Sequence, residues 1–137
     1  MKSNHLSRVL GALAVILLVT LACNAINPTP GASDFYMAKD AEGVNRTDVF
    51  LPEDDFFVHF NVSGIEPGTN FQSRWYVLDL EGQDPNAPIQ TIDYAYQEGI
   101  GKVYFQLTGA EPWPPATYKV EVYMNDVEIG EQQFSVQ

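Results

Sequence analysis

The chain has 137 residues, 45% of them hydrophobic, and its 18 acidic against seven basic side chains give a net charge of −11. One cysteine excludes a disulfide framework, and the acidic balance opposes binding to nucleic acid or to anionic lipid head groups. The length is enough for a single domain held by an ordinary hydrophobic core.

Lys2 and Arg8 are the only charged residues before Cys23, and Val9 to Leu21 form an apolar run closed by the small Ala22. A basic start, a short apolar block and a small-residue exit describe a secretory signal peptide. The end of the run, Leu21-Ala22-Cys23, resembles the lipobox of bacterial lipoprotein precursors. In that family the peptide is cut before the cysteine, whose thiol is acylated. The resemblance therefore implies a signal peptide over 1–22, lipidation of Cys23 and attachment to the bacterial cell envelope, outside the cytoplasm. The chain departs from the family at Thr20, where leucine is usual. The alternatives are an ordinary signal peptide, or an uncleaved anchor from Val9 to Ile26 that falls short of about 20 clean apolar residues. All three place the remainder across the membrane, because Lys2 and Arg8 hold the N-terminus inside. From Cys23 onward five basic side chains face all 18 acidic ones, 5 − 18 = −13.

Residues 23–33 read as a linker, with Pro28, Pro30 and Gly31 breaking a polar stretch. From 34 to 137 the apolar residues alternate with period two, the pattern of half-buried strands. A first strand is predicted around Phe35–Lys39 and a short second piece at Asp48–Leu51. Phe56, Val58, Phe60 and Val62 define the next strand, and Phe71, Ser73, Trp75 and Val77 the one after. Ile92, Tyr94 and Tyr96 follow, then Val103, Phe105 and Leu107, then Tyr118, Val120, Val122 and Met124. Asn125-Asp126 is a tight turn into a last strand carrying Phe134 and Val136. Seven or eight short strands with regular turn signals predict an all-β, immunoglobulin-like antiparallel sandwich, behind a signal-peptide helix and a short linker.

Trp75 falls mid-strand, where such folds bury a tryptophan, and Tyr118 is placed to form a tyrosine corner. Trp75, Phe60, Phe105, Val120 and Val122 are expected at the centre. The closing segment, Trp113-Pro114, Ala116-Thr117-Tyr118, Val122-Tyr123 and Phe134-Ser135-Val136, resembles the last strands of Ig-like domains in bacterial surface lipoproteins. That pattern often has glycine where this chain has Ala116.

Chemistry-bearing residues are few. His59 alternates with Val58 and Phe60 and is expected to point outward; without a second histidine or a cysteine beside it no transition-metal set forms. Glu53-Asp54-Asp55 and the Asp79–Asp84 segment offer oxygens to a hard cation, or serve as solvated hairpin ends that discourage edge pairing. The expectation is no required metal and no cofactor. Asn45-Arg46-Thr47 and Asn61-Val62-Ser63 match the glycosylation sequon by chance. Tyr76 and Tyr123 fall on the outward side of neighbouring strands, and Trp113 sits between prolines in an end loop. Exposed aromatics give contact area at low entropic cost, so these three are the candidate ligand-binding residues; otherwise the tyrosines pair across strands and Trp113 caps the core. The function expected is a lipid-anchored, non-catalytic module meeting an envelope protein or glycan. The alternative is an accessory domain or small enzyme using acidic residues for Ca²⁺ or carbohydrate chemistry. Glycoside hydrolysis would need two carboxylates about 5–10 Å apart across a cleft.

Overall fold

A computed structural model describes residues 31–137. The segment 1–22 expected to be a signal peptide, and Cys23 with its expected lipidation, lie outside the described residues. Eight strands form: β1 (Gly31–Ala38), β2 (Val49–Phe50), β3 (Phe56–Ser63), β4 (Asn70–Val77), β5 (Gln90–Ala95), β6 (Lys102–Leu107), β7 (Ala116–Met124) and β8 (Val127–Val136). They make a three-stranded sheet in the order β1-β3-β6 and a five-stranded sheet in the order β2-β8-β7-β4-β5. This is the all-β sandwich that the alternation predicts. β1 begins at Gly31, inside the stretch read as linker.

One pairing departs from the antiparallel expectation. β2 runs parallel to β8, with Val49 opposite Ser135 and Phe50 opposite Val136. Its two residues do not come from a hairpin; the chain leaves β1, crosses from one sheet to the other and meets the edge in the direction of β8. Phe50 anchors the crossing, fully buried with its ring 5.0 Å from Phe56 and 5.4 Å from Phe134.

The core lies between the sheets. Trp75, Phe60, Phe105, Val120 and Val122 are all buried there, as the alternation requires. The indole N–H of Trp75 donates to Ser73 Oγ at 2.9 Å, so its one polar atom keeps a partner inside. Tyr118 donates its hydroxyl to the Pro114 carbonyl at 2.7 Å, the back-bond of a tyrosine corner. Asn125 and Asp126 both adopt positive φ, 47° and 67°, which a two-residue hairpin loop needs to match the strand twist.

β3 breaks the simple alternation. Every residue from Phe56 to Phe60 is buried, including the two on the outer face. The segment 39–48 accounts for this, because it folds back as a flap over the outer side of the three-stranded sheet. Lys39 donates its N–H to the Asn45 carbonyl at 3.0 Å, and Thr47 to Met37 at 3.1 Å. The Asp40 carboxylate accepts from the N–H groups of Val44, at 2.9 Å, and of Asn45, closing the turn.

Candidate functional site

Two outer faces compete as the site. On the five-stranded sheet, Tyr76 lies opposite Lys119 and Tyr123 opposite Gln72, with Arg74 opposite Glu121 between them. The two tyrosines are therefore not a direct cross-strand pair. They converge instead on Glu121: Tyr123 donates its hydroxyl to Oε1 at 3.0 Å, and Lys119 Nζ lies 3.3 Å from Oε2. The Arg74 guanidinium sits 3.9 Å over the Tyr123 ring and Lys119 Nζ 4.7 Å over that of Tyr76. Burial, then the hydrogen bond and charge of Glu121, push the Tyr76 hydroxyl up to about 12. Burial would raise Glu121 too, but hydrogen bonds from Tyr76, Tyr123 and Lys119 outweigh it and hold the carboxyl below its ordinary range. This face is internally satisfied, and Tyr76, at 7% exposure, offers little surface to a partner.

Trp113 also turns inward. Its ring centroid is 5.0 Å from Phe56 and 6.2 Å from Tyr118, and its backbone N–H donates to Pro52 at 2.8 Å. It closes one end of the core.

The acidic clusters are largely occupied by structural work. Asp79 Oδ1 accepts from the Thr117 N–H at 2.7 Å, and Asp84 Oδ1 from the Asn86 N–H at 2.9 Å. An open cleft beside Trp113 is lined by Asp54, Asp55 and Glu111. Asp54 accepts from the Leu51 N–H at 2.7 Å and from Lys39 at 2.9 Å. Burial would raise its pKa, but those two partners hold it below the ordinary value. A glycosidase acid must keep its proton, so Asp54 is tuned the wrong way for that role. On β7 and β8, Glu121, Glu128 and Glu131 can bring three carboxylate oxygens within 4.8 Å of one another. Ca²⁺ takes about six to eight oxygens, and Glu121 already binds Tyr123 and Lys119.

The outer face of the three-stranded sheet is different. Tyr36, His59 and Tyr104 are register partners on β1, β3 and β6, so their rings stand side by side across the sheet. Centroids are 5.1 Å apart from Tyr36 to His59 and 5.4 Å from His59 to Tyr104. Arg46, carried by the flap, covers the other side of Tyr36 with its guanidinium 3.7 Å from the ring centroid. Lys102 donates from Nζ to the Tyr36 hydroxyl, which in turn donates to the Gly43 carbonyl at 3.3 Å. The row ends at the sheet edge in Tyr104, which is 46% exposed, with Ile100 nearby at 38%.

His59 corrects its sequence reading. It lies on the outer face of its strand as alternation requires, yet it is fully buried because the flap covers it. Its Nε2 lies 2.9 Å from the Asp40 carbonyl and must carry the hydrogen to bond there, while Nδ1 is buried without a partner. Burial lowers its pKa, and the charges of Lys102 and Arg46 add to this against the carbonyl and charge of Asp40. The imidazole is thus neutral at pH 7, and its role is to fill the row.

Sequence reasoning found neither Tyr36 nor Arg46 nor Lys102. Tyr104 was within reach, since it alternates with Val103 and Phe105 and so points outward. Nothing local announces that a ten-residue loop would fold back to set Arg46 on Tyr36.

No protein-family model and no curated protein matches this chain. Among solved structures, an immunoglobulin-like protein from Pseudomonas aeruginosa superposes with a TM-score of 0.56 at 13% identity, covering 81% of this chain and 100% of that one. An alkylpurine DNA glycosylase from Pseudomonas fluorescens, bound to DNA with an abasic-site analogue, gives 0.44 at 10% identity over 79% of this chain and 30% of that one. A superoxide reductase from Ignicoccus hospitalis gives 0.43 at 14% identity, covering 80% of each chain. The last two are too distant to inform function. The first shows that the described domain has an immunoglobulin-like fold.

Proposed function

We propose that this protein is a non-catalytic binding module, tethered outside the cytoplasmic membrane through Cys23, whose contact face is the outer side of the β1-β3-β6 sheet. One observation carries the reading. The aromatic row from Tyr36 through His59 to Tyr104 is rigid at its centre and open at its edge, beside the charged Lys102. Pre-ordered aromatic area with adaptable polar groups around it is what contact surfaces use. Tyr76, Tyr123 and Trp113 support such a face less well, since each is engaged within the fold. Catalysis finds little support among the described residues: their one imidazole is sealed in, and in the acidic cleft Asp54 is tied to the Leu51 N–H and Lys39 while Asp55 accepts from Gln106.

The test is binding of the full chain, in neutral detergent, to an envelope extract and a glycan array, compared with a Tyr104→Ala variant of unchanged circular dichroism. A ligand held by the parent and lost by the variant is expected. A ligand held equally by both would place the contact surface elsewhere.

A further inference from the structure

We propose that the cleft between Arg46 and Lys102 takes the carboxylate of an acidic sugar residue; this names a ligand class for the face assigned above and rests on that assignment. The first argument is the distribution of charge. The described domain has five basic side chains among 18 acidic ones, so an unpaired cation is unexpected. Lys39 pairs with Asp54 and Lys119 with Glu121, while Arg74, which has no ion pair either, donates from Nε to Gln72 Oε1 at 2.6 Å and lies over the Tyr123 ring. Arg46 and Lys102 form no ion pair with any described carboxylate, and both converge on the ring of Tyr36.

The second argument is that the pair is held in place. Lys102 is fixed by its bond to the Tyr36 hydroxyl, and that hydroxyl by Gly43. Gly43 is buried at φ +70°, and a Cβ there would come within 2.8 Å of Lys102 Nζ. The flap thus reserves the space in which the ammonium sits. The Arg46 guanidinium carbon sits 3.7 Å from the centroid of the Tyr36 ring, and its N–H groups make no hydrogen bond to the described residues, so they can meet a planar carboxylate.

The third argument concerns what else lines the cleft. Asp34 stands at a bulge in β1 with φ 57°, a backbone angle that aspartate tolerates, and lines the same cleft as Arg46 and Lys102. Asn61 donates from Nδ2 to Asp34 Oδ2 at 3.0 Å, leaving Oδ1 to accept from a ligand. A carboxylate beside the two cations repels a dianion such as phosphate but accepts well from a hydroxyl. A monoanion flanked by hydroxyls therefore fits better, and an acidic sugar is that combination. Tyr104, at the sheet edge, offers its exposed ring to a neighbouring sugar of the same chain. The domain's overall charge of −13 slows the approach of such a ligand without cancelling the local pair, because charges more than about 8 Å away are screened at physiological salt.

The experiment is calorimetric titration of the full chain in neutral detergent with trigalacturonate and with its methyl ester. The acid is expected to bind, and esterification to weaken binding at least tenfold. Arg46→Gln and Lys102→Gln should each weaken the acid by roughly tenfold and leave the ester unchanged, with unaltered circular dichroism. Equal binding of acid and ester, or an Arg46→Gln/Lys102→Gln chain that binds the acid as the parent does, would overturn the proposal. So would displacement of the acid by inorganic phosphate where equal acetate does nothing. If a ligand on the array depends on Tyr104 but carries no acid, this inference fails and the binding-module reading stands; if no ligand depends on Tyr104, both fail.

Discussion

The rings of Tyr36 and His59 lie nearly parallel, 10° apart in plane with 5.1 Å between centroids, although their strands place both on the outer side of a sheet. The flap makes this possible: the Asp40 carbonyl receives the imidazole N–H, and Gly43 covers the ring edge. An outer sheet face has become a second, small interior, and that has consequences for pH, for Gly43 and for the ligand.

Protonation of His59 should unlock the flap. The second proton would enter at Nδ1, which is buried with no acceptor, and would face Lys102 and Arg46, with only Asp40 opposing them. The folded pKa lies below the ordinary 6.5, so the unfolded chain binds this proton first as pH falls. Stability is then full above about 6.5 and declines as pH drops below it. Asp54 and Glu121, both lowered, stabilise the fold at neutral pH and lose that contribution only at more acidic pH, and Glu128, raised by burial and by its acidic neighbours, acts in the opposite sense near its own range. Melting temperatures followed from about pH 7.5 to 5 should fall for the parent and run flat for His59→Gln. A parent that is equally flat would mean the imidazole is not sealed.

Gly43→Ala should cost more than the about 1–3 kcal/mol that its backbone angle alone carries. The angle is shared with Gly82, at φ +83°, but nothing lies within 4 Å of a Cβ at Gly82. At Gly43 the new methyl would meet Tyr36, Lys102 and His59 together. Urea denaturation of both variants separates the contributions, since Gly82→Ala carries only the backbone cost. Equal losses would show that the flap gives way without strain.

Most of the strands were legible because sheets bury one face and the chain records it. Phe56, Val58 and Phe60 read as inward, and so did Trp75, Val120 and Val122; all are in the core. Asn125-Asp126 announced its hairpin through residue types that tolerate positive φ. The site was not legible on the same terms. Alternation places Tyr76, Tyr123 and His59 outside, but exposure depends on what lies above them, and that is a long-range matter. Glu121 and Lys119 occupy the tyrosines, while the flap covers the histidine. Likewise the parallel pairing of β2 follows from a crossing between sheets, which no two-residue segment can encode locally.

Ser73 and Trp75 should behave as one unit. Ser73→Ala leaves the indole N–H unpaired in the core and should cost about 1–3 kcal/mol. Trp75→Ala should cost about 3–5 kcal/mol through the cavity it opens. With phenylalanine at 75 no donor remains, so adding Ser73→Ala should cost markedly less than it does in the parent. The coupling in that double-mutant cycle is the measurement, and additive losses would mean the hydrogen bond contributes nothing to stability.

Glu121→Gln should show how the five-stranded face is held. Tyr76 is pushed up to about 12 first by burial and then by the hydrogen bond and charge of Glu121. Removing the charge while keeping the shape should lower the Tyr76 midpoint, yet leave it above the ordinary 10 because burial persists. Phenolate absorbance against pH reads this directly, with Tyr76→Phe identifying the latest-titrating hydroxyl. The sign for stability follows: the folded chain keeps a proton that the unfolded chain releases above 10, so stability falls as pH rises from there towards 12. In Glu121→Gln that fall should be shallower, since the two states then differ less in proton affinity. If the late tyrosine titrates unchanged in the variant, Glu121 does not organise this face, and Tyr76 and Tyr123 return as candidates for contact with a ligand.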